Sequence, residues 1–284
     1  MKKRNPFVIC GYNGPETFCD REIELQKLRN AVANGRNITL LAERRIGKTG
    51  LIRHLFNALS MEDACPCIYV DIFATSNLAE FTARFAEAII GSLDSQIDKA
   101  IEAASRFFKG FRPGITIDVV TGAPTVSFGL QPQIVESTLK ECFTYLGKHG
   151  NCVVAIDEFQ QIANYPEKGV EAMLRSYVQF LPEVRFVFAG SRHHMMAEMF
   201  SSAKRPFYNS TQTLPLDRID REKYYLFAKR FMDEISVDFS YDVFVMLYSM
   251  FDGITWYVQT VMNRLYERQS ATEKDVRSVV EDLI

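Results

Sequence analysis

The sequence predicts an α/β protein: a mostly parallel sheet with an inserted β-hairpin, followed by a small all-helical unit. Three observations predict it. Short β-type runs alternate with stretches of helical period, as βαβ units require. The run 152–156, Cys-Val-Val-Ala-Ile, is apolar without a break, which suits a strand buried on both faces. Strand-type runs end near Arg218, whereas helical spacing continues to the end of the chain.

Taken in order, residues 37–41 are short and β-rich. Residues 48–59 then place Leu51, Ile52, Leu55 and Phe56 on one helical face. Residues 67–72 form a second strand candidate, and 77 to about 110 read as helix, interrupted near Gly91. Residues 115–119 and 125–128 alternate apolar and polar positions around Thr121-Gly122-Ala123-Pro124, so about 112–130 reads as a hairpin insertion. Phe107, Phe108 and Phe111 read as packing between that hairpin and the long helix. Strands follow at 152–156, 185–189 and, more weakly, 211–214. Helical spacing covers 221–235, 241–251, 255–268 and 272–284, with Tyr224, Tyr225, Phe227 and Phe231 as helical core. The predicted division is 1–218 and 219–284.

Composition narrows the class. Of 284 residues, 47% are hydrophobic and 24% charged, which excludes a collagen, a coiled-coil rod and an acidic disordered tail. The net charge of -2 gives no global pull towards nucleic acid. No apolar run reaches the roughly 18 residues of a membrane span, and the basic start at residues 1–6 lacks the apolar stretch of a signal peptide. The chain reads as soluble and cytoplasmic, with no membrane partner. Its six cysteines contain no Cys-x-x-Cys pair, and Cys65-Pro66-Cys67 has the wrong spacing for a zinc knuckle, so all six read as reduced, buried thiols. His193 and His194 are adjacent and point in different directions on a helix. Met195, Met196 and Met199 read as helix packing.

The chemistry concentrates in residues 42–49, Ala-Glu-Arg-Arg-Ile-Gly-Lys-Thr, between the first strand and the first strong helix. Its end matches the phosphate-binding pattern Gly-x-x-x-x-Gly-Lys-[Ser/Thr], with Ala42 in place of the first glycine. Gly47 lets the backbone approach phosphates at the positive end of a helix. Lys48 then reaches the β and γ phosphates, and the Thr49 hydroxyl serves Mg²⁺. The bland alternative is a helix start with a surface lysine. Residues 153–158 form an apolar strand ending in Asp157 and Glu158. In nucleotide hydrolases the first acid holds Mg²⁺ and the second polarises the attacking water; the bland alternative makes Asp157 a helix cap. After the next strand comes Gly190-Ser191-Arg192 at the same sheet edge, with Ser191 as γ-phosphate sensor and Arg192 or Arg205 as cationic stabiliser.

These residues carry a resemblance to the archaeal-type P-loop ATPases of the AAA+/STAND-related group. The matching stretches are 5–7 with 18–25, Arg44 to Thr49, Ile156 to Gln160, Gly190-Ser191 with Met195-Met196, and 253–259. The resemblance implies a five-stranded parallel sheet of the additional-strand class and a helical lid, with ATP or ADP and Mg²⁺ as cofactors. It implies an N-terminal segment passing the adenine, with Phe18 and Arg21 on the nucleotide. Arg44, Arg45, Ile46, Gly47, Lys48, Thr49 and Gly50 form the loop in this reading. Thr49 and Asp157 are the metal residues, and Glu158, Lys48, Ser191 and Arg192 the catalytic ones. Family members often continue into a winged-helix module, whereas this sequence stops at Ile284.

There are departures. Residues 206–210, Pro-Phe-Tyr-Asn-Ser, lack the arginine that many members carry there, with Lys204 and Arg205 as nearby substitutes. Thr255 stands where the lid motif usually has proline. The leading reading is a Mg²⁺-dependent ATPase acting as a conformational switch. The alternatives are a nucleotide-bound regulatory scaffold with little hydrolysis, and a nucleic-acid-linked ATPase. A protein partner or a homo-oligomer fits a switch, and nucleic acid is not favoured for this chain.

Overall fold

The computed structural model describes residues 4–93, 111–117, 124–130 and 134–283, with the strands at 111–117 and 124–130 known by backbone. The strands are β1 (Ile38–Ala42), β2 (Cys67–Asp71), β3 (Phe111–Ile117), β4 (Pro124–Leu130), β5 (Cys152–Asp157), β6 (Val184–Gly190) and β7 (Gln212–Leu216). The helices are α1 (Glu22–Ala33), α2 (Lys48–Met61), α3 (Leu78–Leu93), α4 (Val135–His149), α5 (Val170–Gln179), α6 (His193–Ser201), α7 (Arg221–Asp233), α8 (Tyr241–Met250), α9 (Thr255–Arg268) and α10 (Glu273–Glu281).

The sheet has five strands in the order β2-β5-β6-β1-β7, the parallel α/β architecture that the sequence predicts. Its register pairs Val70 with Ile156, Ile156 with Phe188, and Leu41 with Gly190. The C-terminal ends of β1, β5 and β6 therefore share one edge. Every residue of β5 is buried, which is why its sequence is apolar throughout. The weak signal of β7 has the opposite cause: it lies at the sheet edge with three of five residues exposed, and an edge strand tolerates Pro215. The predicted hairpin is present as antiparallel β3 and β4, paired from Phe111–Leu130 to Ile117–Pro124. Its turn at 121–123, the helix continuation beyond Leu93 and the packing of Phe107 and Phe108 lie outside the described residues.

The chain divides into two compact units, and they are not two contiguous halves. One comprises residues 28–41 and 59–215; the other comprises 1–27, 42–58 and 216–284. In the first, α3 buries Leu78, Phe81, Phe85, Ala86, Ile89 and Ile90, one face at helical spacing. Phe85 and Phe143 meet at 5.0 Å between ring centroids, and Phe143 stacks on Tyr177 at 4.9 Å. In the second, α7 to α10 enclose a core of Tyr224, Phe239, Phe244, Val258 and Leu265. The strands do stop at Leu216, near the predicted boundary. The N-terminal segment nevertheless clusters with the helices, because Phe7 is fully buried among them. Its ring makes edge contacts to Phe227, Phe231 and Tyr266 at 5.8–6.3 Å.

The cysteines correct one expectation. No disulfide is formed among them, but Cys10 is exposed and Cys65 and Cys67 are half-buried; Cys19, Cys142 and Cys152 are buried. Burial pushes the Cys152 thiol up to about 11 and the Cys67 thiol up to about 12, so neither is a ready nucleophile.

Phe7→Ala should destabilise the helical unit by about 3–5 kcal/mol, the usual cost of deleting a buried aromatic ring. Urea unfolding followed by emission of the single tryptophan, Trp256, measures it; a change within error would detach the N-terminal segment from that core.

Candidate functional site

Residues 43–47 join β1 to α2, and their backbone is set by contacts with other elements. Ala42 is the last residue of β1 and has extended backbone, so no glycine is needed there. Arg45 and Gly47 adopt left-handed backbone, φ 67° and 94°. The Arg45 carbonyl accepts the Trp256 N–H at 2.9 Å, and the Ile46 carbonyl accepts Nη2 of Arg21 at 3.2 Å. In a trans peptide the N–H points opposite to the C=O. With these two carbonyls engaged, the N–H groups of Ile46 and Gly47 turn the other way. Left-handed residues interleaved with ordinary ones make a concavity of N–H groups, the form that binds anions. Lys48, 6% exposed, and Thr49 open the 14-residue helix α2 behind it.

The other residues expected on the nucleotide have varied surroundings. Arg21 is 3% exposed with φ 78°; besides Ile46 its guanidinium reaches the Asp217 carbonyl and the Glu24 carboxylate. Its visible role is to brace the loop. The Arg45 guanidinium lies over the Trp256 and Tyr257 rings, and Arg44 is exposed. Phe18 stacks on His54 with ring centroids 4.5 Å apart, and its ring comes within 3.0 Å of where a Cβ on Gly50 would sit. His54 also pairs with the Tyr12 hydroxyl at 2.7 Å, and burial holds its pKa below the ordinary value against the opposing charge of Glu22. A cavity of about 750 Å³ in the same unit is lined by Phe18, Cys19, Asp20, Lys223 and Phe227 among others. Sequence reasoning missed Arg218, which bonds Glu43 of the loop at 3.0 Å and Asp252 at 2.8 Å.

The sheet unit holds the acidic end of β5. Asp157 is 2% exposed; one oxygen accepts the Tyr69 hydroxyl at 2.8 Å and the other the Glu158 N–H at 2.9 Å. Glu158 takes left-handed backbone, φ 57°, before the short helical turn Phe159–Asn164. Such a conformation in a non-glycine residue is held by its surroundings. Its Oε2 accepts the Ser191 hydroxyl at 2.7 Å and Nε2 of Gln160 at 2.6 Å. The structure thus brings the expected sensor residue to the expected base. Tyr69 was not anticipated and Gln160, though within the matching stretch Ile156 to Gln160, was given no role, since only strand pairing and the turn after β5 bring them to the two acids. Gly190 leaves room for this arrangement: a Cβ there would stand 2.2 Å from Oε1 of Gln160 and 2.6 Å from Met196.

Arg192 precedes α6, is exposed, and points one nitrogen at the Met195 sulfur, 3.6 Å away. Arg205 is engaged within its own unit, paired with Glu171 at 2.7 Å and Glu198 at 3.4 Å. Burial raises the Glu171 pKa even though Arg205 pulls the other way. Lys204 is exposed.

Residues 18–261 match the family described as an ATPase domain predominantly from Archaea. The chain belongs to this archaeal-type ATPase family. Its fold is shared with the Walker-type ATPase paby2304 of Pyrococcus abyssi, at 21% identity and TM-score 0.61 over 98% of this chain and 77% of that one. The Aeropyrum pernix Orc1 protein, solved in complex with DNA, aligns at 15% identity and TM-score 0.66 over 99% of this chain and 69% of its own. Thermotoga maritima RuvB, solved as a single-substitution variant, aligns at 14% identity and TM-score 0.53 over 94% of this chain and 71% of its own. No curated protein matches the chain significantly. As a member of this family the chain is a nucleotide-binding P-loop ATPase domain. No helix of the described residues is long and apolar enough to cross a membrane.

Arg21→Met should cost about 2–4 kcal/mol in urea unfolding, because the Ile46 and Asp217 carbonyls lose a charged donor. Gly190→Ala should cost about 1–3 kcal/mol as an overpacked site, read as a lowered thermal midpoint by circular dichroism. An unchanged midpoint would mean that Gln160 and Met196 move aside freely.

Proposed function

We propose that this chain binds Mg-ATP and hydrolyses it, using the cycle as a conformational switch. The observation that carries the reading is the loop at 43–47, where the engaged carbonyls of Arg45 and Ile46 leave the N–H groups of Ile46 and Gly47 on the opposite side, next in sequence to Lys48. Triphosphate is the anion class that this loop and lysine suit. The base would lie on the Phe18 side, where the cavity of about 750 Å³ is of ligand size. The two residues that the sequence assigns to the metal, Thr49 and Asp157, each carry a hard oxygen donor of the kind Mg²⁺ takes. Mg²⁺ bound with the nucleotide would neutralise charge on its phosphates. Glu158 would orient the attacking water and accept its proton, with Ser191 and Gln160 fixing the carboxylate.

A second reading is a nucleotide-bound scaffold with little turnover. It is favoured by the engagement of one Glu158 oxygen with two donors, which occupies an acceptor that an attacking water would need. Asn209 and Ser210, in place of the family's arginine, point the same way. The net charge of -2 gives a nucleic-acid role no support.

Calorimetry with Mg-ATP tests the first reading. Lys48→Ala should weaken binding at least about tenfold, and equal binding by the two proteins would end it. Glu158→Gln should keep binding and lose about 10²–10⁴ in turnover. Wild-type phosphate release no faster than this variant's would favour the scaffold.

A further inference from the structure

We propose that Arg45 is a positioning residue that couples the phosphate loop to α9, so that occupancy of the loop is transmitted to Trp256 and Tyr257. This deepens the proposed ATPase function and rests on it. The motif alone places Arg45 on the nucleotide. The structure engages it elsewhere, through both backbone and side chain.

Trp256 is the second residue of α9, so its N–H has no acceptor within the helix. The Arg45 carbonyl is that acceptor, at 2.9 Å. The guanidinium carbon lies 4.8 Å from the Trp256 ring centroid and 5.1 Å from that of Tyr257, and Nη1 donates to the Tyr257 hydroxyl. Tyr257 is itself fixed by stacking on Phe251, at 5.3 Å and 10° between planes. Arg45 is thus held in left-handed backbone by α9, a conformation that an arginine does not favour alone.

One peptide unit links the two ends of the coupling. The carbonyl of Arg45 and the N–H of Ile46 belong to the same planar group. A phosphate oxygen accepting from Ile46 N–H polarises that group and strengthens the carbonyl as acceptor for Trp256. Rotation of the peptide on phosphate release would instead pull the carbonyl away from α9. In both cases the signal arrives beside Trp256, the single tryptophan of the chain.

The full chain is titrated with Mg-ATP while calorimetry reads binding and Trp256 emission reads coupling. Wild type should bind and shift its emission. Arg45→Met, shown by circular dichroism to be folded, should bind within about tenfold of wild type and lose the emission response. Tyr257→Phe, which alters no loop residue, should bind within about threefold and show a diminished response. Binding by wild type without an emission change, or an undiminished response in Arg45→Met, overturns the coupling alone. Loss of binding in Arg45→Met as complete as in Lys48→Ala makes Arg45 a phosphate ligand and also overturns it. No binding by wild type overturns the ATPase reading and the coupling together.

Discussion

Arg21 places a guanidinium where water scarcely reaches, and a buried cation must find oxygen atoms or be expelled. It finds three: the Ile46 carbonyl in the loop, the Asp217 carbonyl just after β7, and the carboxylate of Glu24 one turn along α1. The loop cannot relax without taking one of these three acceptors from the buried charge. The consequence reaches the loop's chemistry, because a carbonyl held by Arg21 cannot turn inward against an anion. The adjoining carbonyl of Arg45 is held by Trp256 in the same way. The proposed anion site of this segment rests on where the acceptors are held, which leaves the donors on the other side.

The acids of β5 follow a related logic. Asp157 is buried at the end of a fully buried strand, where an unpartnered carboxylate would be costly. Tyr69 from the neighbouring strand supplies one donor and the next peptide N–H another. That second bond accompanies the left-handed turn of Glu158, which brings its carboxylate to Ser191 and Gln160. One backbone conformation at one residue therefore separates two adjacent acids into different surroundings.

Much of this was legible in the sequence. The strands β1, β5 and β6 appear as apolar or β-rich runs because burial on both faces demands it, whereas β2, at the sheet edge, is read from its β-rich residues with only Ile68 and Val70 buried. The loop appears because Gly47, Lys48 and Thr49 sit at fixed spacing between strand and helix. Less legible were features that depend on pairs distant in sequence, such as Arg45 with Tyr257 or Arg218 with Glu43. Local pattern has no access to them. The left-handed backbones of Arg21, Arg45 and Glu158 were also hidden, since nothing in those residue types favours φ above zero. Arg21 and Arg45 show what such patterns leave open. A motif identifies a cation near a phosphate loop but not whether its charge is directed at the ligand or at the scaffold.

The helical unit draws on three separated stretches of chain, 1–27, 42–58 and 216–284. On a ribosome the first two emerge long before the third, so Phe7 and the phosphate loop wait for partners not yet synthesised. The sheet unit lies almost wholly within 28–215 and can be completed first, and neighbouring strands β1 and β7 then deliver the chain at residues 42 and 216. Formation of that sheet lowers the loop-closure entropy of joining the stretches that begin at 42 and 216. A nascent chain halted before α9 would carry the loop residues without the Trp256 N–H that orients the Arg45 carbonyl. Competence to bind nucleotide would then arise late in synthesis, after the sheet is already built.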